Sequence, residues 1–250
     1  MAIVNKDPKE LISFGSVKKS FRVGTGDVPV LKGIDISIKN GDFVVIIGPS
    51  GSGKSTVLHT LLGLEPPTEG DVSFLGFDLY DLDQDDRAEF RRKNVGIIYQ
   101  QSYWVKSLNV MENVSVPLLL NGVSEEIARD KALESLEKVG MLNWAEYVPT
   151  ELSAGQQQKV GLARALITNP LVLVADEPTG NLDSLSGDIL MKMLQELNTI
   201  HHKTIIMVTH DLQYIPYSTR ALVMKDGIIE QSVTKGQPEW KDLTLLKSKK

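Results

Sequence analysis

The sequence predicts an α/β fold. A mostly parallel sheet alternates with helices and carries an N-terminal antiparallel β subdomain and an inserted helical subdomain. Three observations predict it. Continuous apolar runs at Phe43–Ile47, Leu171–Val174 and Thr204–Val208 have the make-up of strands buried on both faces. Stretches of helical spacing lie between them, with Ala128, Ala132, Leu133, Leu136 and Val139 on one face and Ile189, Leu190, Met193, Leu194 and Leu197 on another. Ile34, Ile36 and Ile38 alternate with Asp35 and Ser37, the signature of a sheet with one wet face.

The bulk numbers exclude several classes. With 250 residues, 42% hydrophobic and 24% charged, the chain supports a sizeable core. Its net charge of -5 argues against a general nucleic-acid surface. The absence of cysteine rules out disulfides and thiolate metal sites. No apolar run approaches the roughly 20 residues that span a bilayer. The opening MAIVNKDPKELISF lacks the pattern of a secretory signal. The expectation is a cytoplasmic chain that reaches the cytoplasmic face of a membrane only through a partner.

In chain order, Leu11–Val23 and Val30–Ile38 read as strands around a turn at Gly24–Asp27, with a second turn at Asn40-Gly41. Phe21, just before the first turn, reads by position as a core aromatic. The strand Phe43–Ile47 ends in Gly48-Pro49-Ser50-Gly51-Ser52-Gly53-Lys54-Ser55, which fits G-x-x-x-x-G-K-[ST], and an apolar helical pattern follows. That strand–loop–helix context identifies a phosphate-cradling P-loop and an NTPase core. Glycines let backbone N–H groups approach phosphate oxygens, and the helix points its positive end at the same anion. Lys54 reaches the β- and γ-phosphates, Ser55 offers a hydroxyl to Mg²⁺, and Thr56 stands beside them.

Beyond a breaker-rich loop at Glu65–Gly70, Asp71–Phe74 returns as a strand. Asp81–Arg92 reads as a charged, solvated helix, and Asn94–Tyr99 as a strand ending at Gln100-Gln101. Tyr103, Trp104 and Val105 follow, either as core or as a partner-binding surface. Ser124 starts a helix that Gly140 ends, and Leu152–Gln156 starts another that Asn169-Pro170 breaks. After the helix around Ser186–Leu197 and the strand Thr204–Val208, a hairpin turning at Lys225-Asp226 closes the fold. The chain reads as a single domain over 1–250. Its nucleotide-binding core is built from about 11–80 and 166–232, its helical subdomain from about 81–165, and its basic-ended tail from 233–250.

Ligands gather at the carboxyl ends of parallel strands. The P-loop, Gln100, Asp176-Glu177 and His210 all stand at such ends. Asp176 is placed to anchor Mg²⁺ and Glu177 to polarise an attacking water. The plainer reading of this pair is two acids capping the next helix. His210 is either structural or a hydrogen-bond donor to the γ-phosphate or the water.

These motifs, in this order, resemble the ATP-binding-cassette (ABC) ATPases. The likeness runs from about Phe14 to Glu230. Leu152-Ser153-Ala154-Gly155-Gln156 resembles that family's LSGGQ signature, with Ala154 replacing the first glycine, and Lys159 stands where arginine is common. Glu177–Asp183 (EPTGNLD) looks most like the subgroup serving lipoprotein-release, macrolide-export and cell-division complexes. The resemblance implies ATP and Mg²⁺ as cofactors and a role for each matched position. Phe21 would stack on adenine, which reverses its core reading. Gln100 would touch Mg²⁺ or the water. Ser153, Gly155 and Gln156 would bind the γ-phosphate of ATP held by a second copy of the chain, and Asp183 would couple the two sites. The P-loop is then half of a site. A methyl at Ala154 puts phosphate affinity or closure rate in question. An integral membrane permease would dock around Tyr103, Trp104 and Val105, and transport, release or mechanotransmission would follow. The alternatives are a soluble ABC ATPase acting on nucleic acid or ribosomes, and a GTPase switch. The first usually carries long coiled coils, zinc modules or a second cassette. Against the second, Asn5-Lys6-Asp7 resembles a guanine-reading triplet but precedes the P-loop where that triplet should follow it, and a GTPase leaves Leu152–Gln156 unexplained.

Overall fold

A computed structural model describes residues 10–245; Asn5-Lys6-Asp7 and the basic end Lys247–Lys250 lie outside them. The described chain forms two compact units. One joins the residues up to Glu89 with those from Leu197 onward, and the other is Phe90–Glu196.

In the first unit, β1 (Glu10–Val23) and β2 (Gly26–Lys39) make an antiparallel hairpin. Ile34, Ile36 and Ile38 are buried and Asp35 is exposed, as the alternation requires. β2 begins four residues before the expected Val30. That extension is exposed, and ladder pairing such as Phe21↔Val28 holds it rather than burial. β4 (Glu69–Phe74) pairs with the other edge of β1, and β5 (Phe77–Asp78) with β4, giving the order β2-β1-β4-β5.

The second layer of this unit centres on β3 (Phe43–Ile47), none of whose residues is more than 2% exposed. β8 (Thr204–Thr209) and β9 (Arg220–Lys225) flank it, both parallel to it. β10 (Ile228–Thr234) closes antiparallel on β9. Two-sided burial is why these strands read as unbroken apolar runs. The hairpin turns at Asp226 and Gly227 rather than Lys225-Asp226. Their φ values of 48° and 83° are those a tight two-residue turn demands. α1 (Lys54–Leu61) follows the P-loop and buries Val57, Leu58 and Leu61. α7 (Pro238–Leu245), unforeseen in the sequence, buries Trp240 and Leu243, three residues apart on one face.

α2 (Gln84–Asn94) contributes no buried residue, as its charge predicts. The second unit pairs β6 (Val95–Tyr99) with β7 (Val172–Asp176) in parallel. Three helices pack on one another beside them: α3 (Val110–Leu120), α4 (Glu125–Lys138) and α5 (Ala154–Leu166). α6 (Ser184–Thr199) follows β7. α3 escaped the sequence reading because Pro117 sits inside it. Its start signal was present all the same: Asn109 and Glu112 form a reciprocal capping box.

Asn113 on α3 is fully buried and organises the loop before the helix. Its amide donates to the carbonyls of Val105, Leu108 and Asn109 at 3.2, 3.0 and 2.9 Å, and its carbonyl accepts from the Val105 N–H at 2.9 Å. Asn113→Ala strands these groups and is expected to cost about 2–3 kcal/mol in urea-induced unfolding.

Candidate functional site

The P-loop is shaped by what its glycines leave out. A Cβ on Gly48 would lie 2.1 Å from the Met224 carbonyl oxygen, so β3 can turn beside β9 only with glycine there. Gly53 caps α1 with a left-handed φ of 102°. Lys54 is 8% exposed, and its ammonium curls back to donate to the carbonyls of Gly48 and Pro49, each at 2.9 Å. The Ser52 hydroxyl is buried and has no hydrogen-bond partner among the described residues. A cation held by two neutral carbonyls and an orphaned hydroxyl in the same loop fit an anion far better than they fit each other. Pro49, Ser50, Gly51 and Ser55 are exposed, while Gly48 and Thr56 are half-buried. His210 is exposed at the carboxyl end of β8, where Ile47 of β3 pairs with Thr209. Phe21 lies on the antiparallel hairpin and is half-buried, not core.

The second unit gathers the other predicted residues. Tyr99 pairs with Asp176, so Gln100 and Glu177 leave adjacent strands side by side. Glu177 holds a left-handed φ of 46°, a strain of about 1 kcal/mol or more for a side chain of this kind. Its carbonyl accepts from the Gly180 N–H at 3.0 Å, closing a tight turn. A Cβ on Gly180 would come within 2.6 Å of the Gln100 amide nitrogen, so glycine lets Gln100 rest against that turn.

Ser153 is the N-cap of α5 in a capping box with Gln156: its hydroxyl accepts from the Gln156 N–H at 3.3 Å, and its own N–H donates to Gln156 Oε1 at 2.9 Å. Ala154 is the exposed first residue of that helix, with no left-handed φ for its methyl to disturb. Gly155 lies against Ser186, which a Cβ would approach to 2.8 Å. Asp183 holds Ser186 through both its N–H (2.9 Å) and hydroxyl (2.8 Å), so Asp183 caps α6 and supports the signature loop at once. These two bonds hold the Asp183 carboxyl below its ordinary range.

Of the 103–105 segment, Tyr103 is 72% and Val105 45% exposed. Trp104 turns inward, donating to Gln157 Oε1 at 2.9 Å beneath the Arg164 guanidinium, 4.5 Å from its ring centre. Burial pulls Arg164 below its ordinary pKa, opposed by Tyr99, and burial raises Tyr99, opposed by Arg164.

The family model for the ABC transporter ATP-binding domain matches residues 31–180. The chain belongs to this family. Among relatives, the uncharacterised ABC transporter ATP-binding protein YbbA of Escherichia coli K12 is 40% identical over 223 residues, covering 89% of this chain and 98% of YbbA. The macrolide export ATP-binding/permease protein MacB of Syntrophobacter fumaroxidans is 41% identical over 223 residues, 88% of this chain but 31% of MacB, so the chain spans about a third of that relative. The dimeric post-hydrolysis structure of the cassette MJ0796, bound to ADP and Pi, superposes with a TM-score of 0.83 at 38% identity, covering 89% of this chain and 98% of that one. The α/β fold is that of the ABC ATPases, and the chain is an ATPase of this family.

Gln158, which the sequence places only in the continuation of the signature with no role of its own, is a further residue of this ABC ATPase's site. It is 4% exposed, and its amide donates to the carbonyls of Pro178 (2.7 Å), Tyr99 (2.9 Å) and Gln100 (3.4 Å). It thereby ties the signature helix to the ends of β6 and β7. Within the surface-like Gln-Gln-Gln-Lys run at 156–159, nothing in the sequence singles it out. Gln158→Met, similar in volume but without donors, is expected to lower kcat at least about tenfold through the loosened loops. The Kd for ATP is expected to stay within about twofold, read by titration.

Proposed function

We propose that the chain is the ATP-hydrolysing subunit of a membrane complex for export, lipoprotein release or mechanotransmission, acting as a pair of copies around two ATP molecules. The observation that carries this is that one chain holds two anion-competent helix starts, the P-loop before α1 and the Ser153 loop before α5. Gly48, Pro49, Ser50, Gly51, Ser52, Gly53, Lys54, Ser55 and Thr56 cradle the phosphates, and Phe21 stacks on the base. Ser153, Gly155 and Gln156 close over the ATP of the other copy, and Asp183 couples the sites by fixing that loop. The dimeric MJ0796 structures support the pairing.

Ser55, Asp176 and Gln100 are the candidates to hold Mg²⁺, which when bound neutralises charge on the β- and γ-phosphates. Glu177 polarises the attacking water, and His210 and Gln100 orient it. Glu177 suits this work because its turn is fixed at both ends, by the Gly180 N–H and by Gln158 on Pro178. Glu177→Gln keeps the shape and removes the base. It is expected to lower kcat at least about 100-fold while retaining ATP, and to accumulate an ATP-bound dimer on size exclusion.

A membrane permease is the partner proposed for the second unit. A groove of about 330 Å³ is lined by Arg92, Tyr99, Tyr103, Pro117, Leu120 and Arg164 among others, and its rim residues Tyr103 and Leu120 are 72% and 65% exposed. Such an apolar and aromatic groove with two arginines in its lining suits an amphipathic helix. Since Trp104 is engaged with Gln157, Tyr103 is the sharper probe. Tyr103→Ala is expected to abolish stimulation of hydrolysis by the permease while basal turnover stays within about twofold, measured in proteoliposomes. The proposed location is the cytoplasmic face of the membrane, held there by this partner. Among the described residues no helix is long and apolar enough to cross a membrane.

A further inference from the structure

Lys19 is a lysine that ordinary strand chemistry does not explain. It points inward from β1 and is 7% exposed, whereas its neighbour Lys18 is exposed and pairs with Glu69 at the surface. The Lys19 ammonium donates to the Pro66 carbonyl at 2.7 Å and pairs with Glu65 at 2.5 Å. It also lies over the Phe21 ring, 4.9 Å from its centre. Both Glu65 and Pro66 belong to the loop after α1, the helix that begins at Lys54.

We infer that Lys19 is a positioning residue for the nucleotide base, acting through Phe21. The inference rests on the proposed stacking of Phe21 on adenine. Phe21 is two residues along the same strand, on the same side as Lys19, and half-buried. The ammonium occupies one face of the ring and fixes its rotamer, and the ring keeps exposed surface for a second planar partner. A cation on one face draws π density toward itself. The opposite face becomes less electron-rich and stacks better on an electron-rich purine. Phenylalanine has no hydroxyl to anchor the ring, so the anchor comes from behind it. Glu65 and Pro66 in turn hold the ammonium against the loop that ends the phosphate-binding helix. Base platform and phosphate cradle are thereby set at a fixed spacing, within one compact unit.

The test separates base from phosphate. Affinities of the full chain for Mg·ATP and for Mg·tripolyphosphate, which lacks base and ribose, are measured by calorimetry. Lys19→Gln is expected to weaken ATP binding about three- to tenfold and to leave tripolyphosphate binding unchanged. Lys19→Arg, which keeps the cation, is expected to restore ATP affinity. Phe21→Ala is expected to weaken ATP as well, and Lys19→Gln added to it is expected to cost nothing further. A parallel loss for both ligands would make Lys19 merely structural and overturn the inference. So would a Lys19→Gln protein with unchanged ATP affinity while Phe21→Ala loses it. If Phe21→Ala leaves ATP affinity intact, the stacking itself fails, a result distinct from either. Should Lys19→Gln not fold, Glu65→Gln loosens the same ammonium: an ATP-selective loss supports the inference, and an unchanged ratio of the two affinities overturns it.

Discussion

Burial of β3 on both faces is the constraint from which the site in the first unit follows. Five residues with essentially no exposure, held between two parallel neighbours, cannot slip in register without carrying the whole layer with them. The chain must leave this strand beside the Met224 carbonyl, and only a residue without a side chain passes there. The loop that results has more donors than it can satisfy. Its lysine is parked on two loop carbonyls, and the Ser52 hydroxyl finds no partner among the described residues. A loop left in this state is built for an anion it does not itself contain.

The second unit reaches a comparable end by different means. Its paired strands carry short polar turns rather than a helix-capping glycine loop, and side-chain amides do the fixing. Gln158 serves three carbonyls, Gln157 bridges Trp104 to the Leu152 carbonyl, and Asn113 serves the 105–109 loop. Gln158 and Asn113 each satisfy several backbone groups at once, and Gln157 joins one backbone carbonyl to a side chain, which is how irregular chain is kept buried at tolerable cost. The arrangement also makes α5 a shared element. Gln158 faces the strand ends, Gln157 and Arg164 face the 103–104 segment, and Ser153 caps its start. Any displacement of the Tyr103–Val105 segment bears on the helix whose first turn carries the signature.

What was legible in the sequence was what burial dictates. β3, β7 and β8 are continuous apolar runs, and their bounds agree with the sequence pattern to within a residue or two; α4 announces itself by periodicity between Ser124 and Gly140, and α5 by its start at Ser153 and the Asn169-Pro170 break after it. The P-loop and signature are readable because their residue types are chemically constrained. Elements held by pairing or by a few contacts are not readable. The early part of β2 is exposed, α3 contains Pro117, and α7 rests on Trp240 and Leu243 within a polar stretch. Phe21 and Gln158 show the same limit at the site. By position alone Phe21 reads as core, and it took the family resemblance to reverse that; a glutamine among glutamines reads as surface until its three acceptors are seen.

The substitution at Ala154 illustrates how structure changes a chemical worry. A glycine-to-alanine exchange matters where φ is left-handed or where a Cβ meets a neighbour. Neither holds here, because Ala154 opens a regular helix and its side chain is exposed. Alanine in fact favours the helical conformation at this position. The crowded member of the pair is Gly155, packed on Ser186. Nor does capping compete with the proposed phosphate contact. The Ser153 oxygen accepts from the Gln156 N–H, which leaves its own hydrogen to donate. A hydroxyl already oriented by its cap loses little further freedom on meeting a phosphate. The residue that starts the helix thus keeps a donor for the phosphate contact proposed for it.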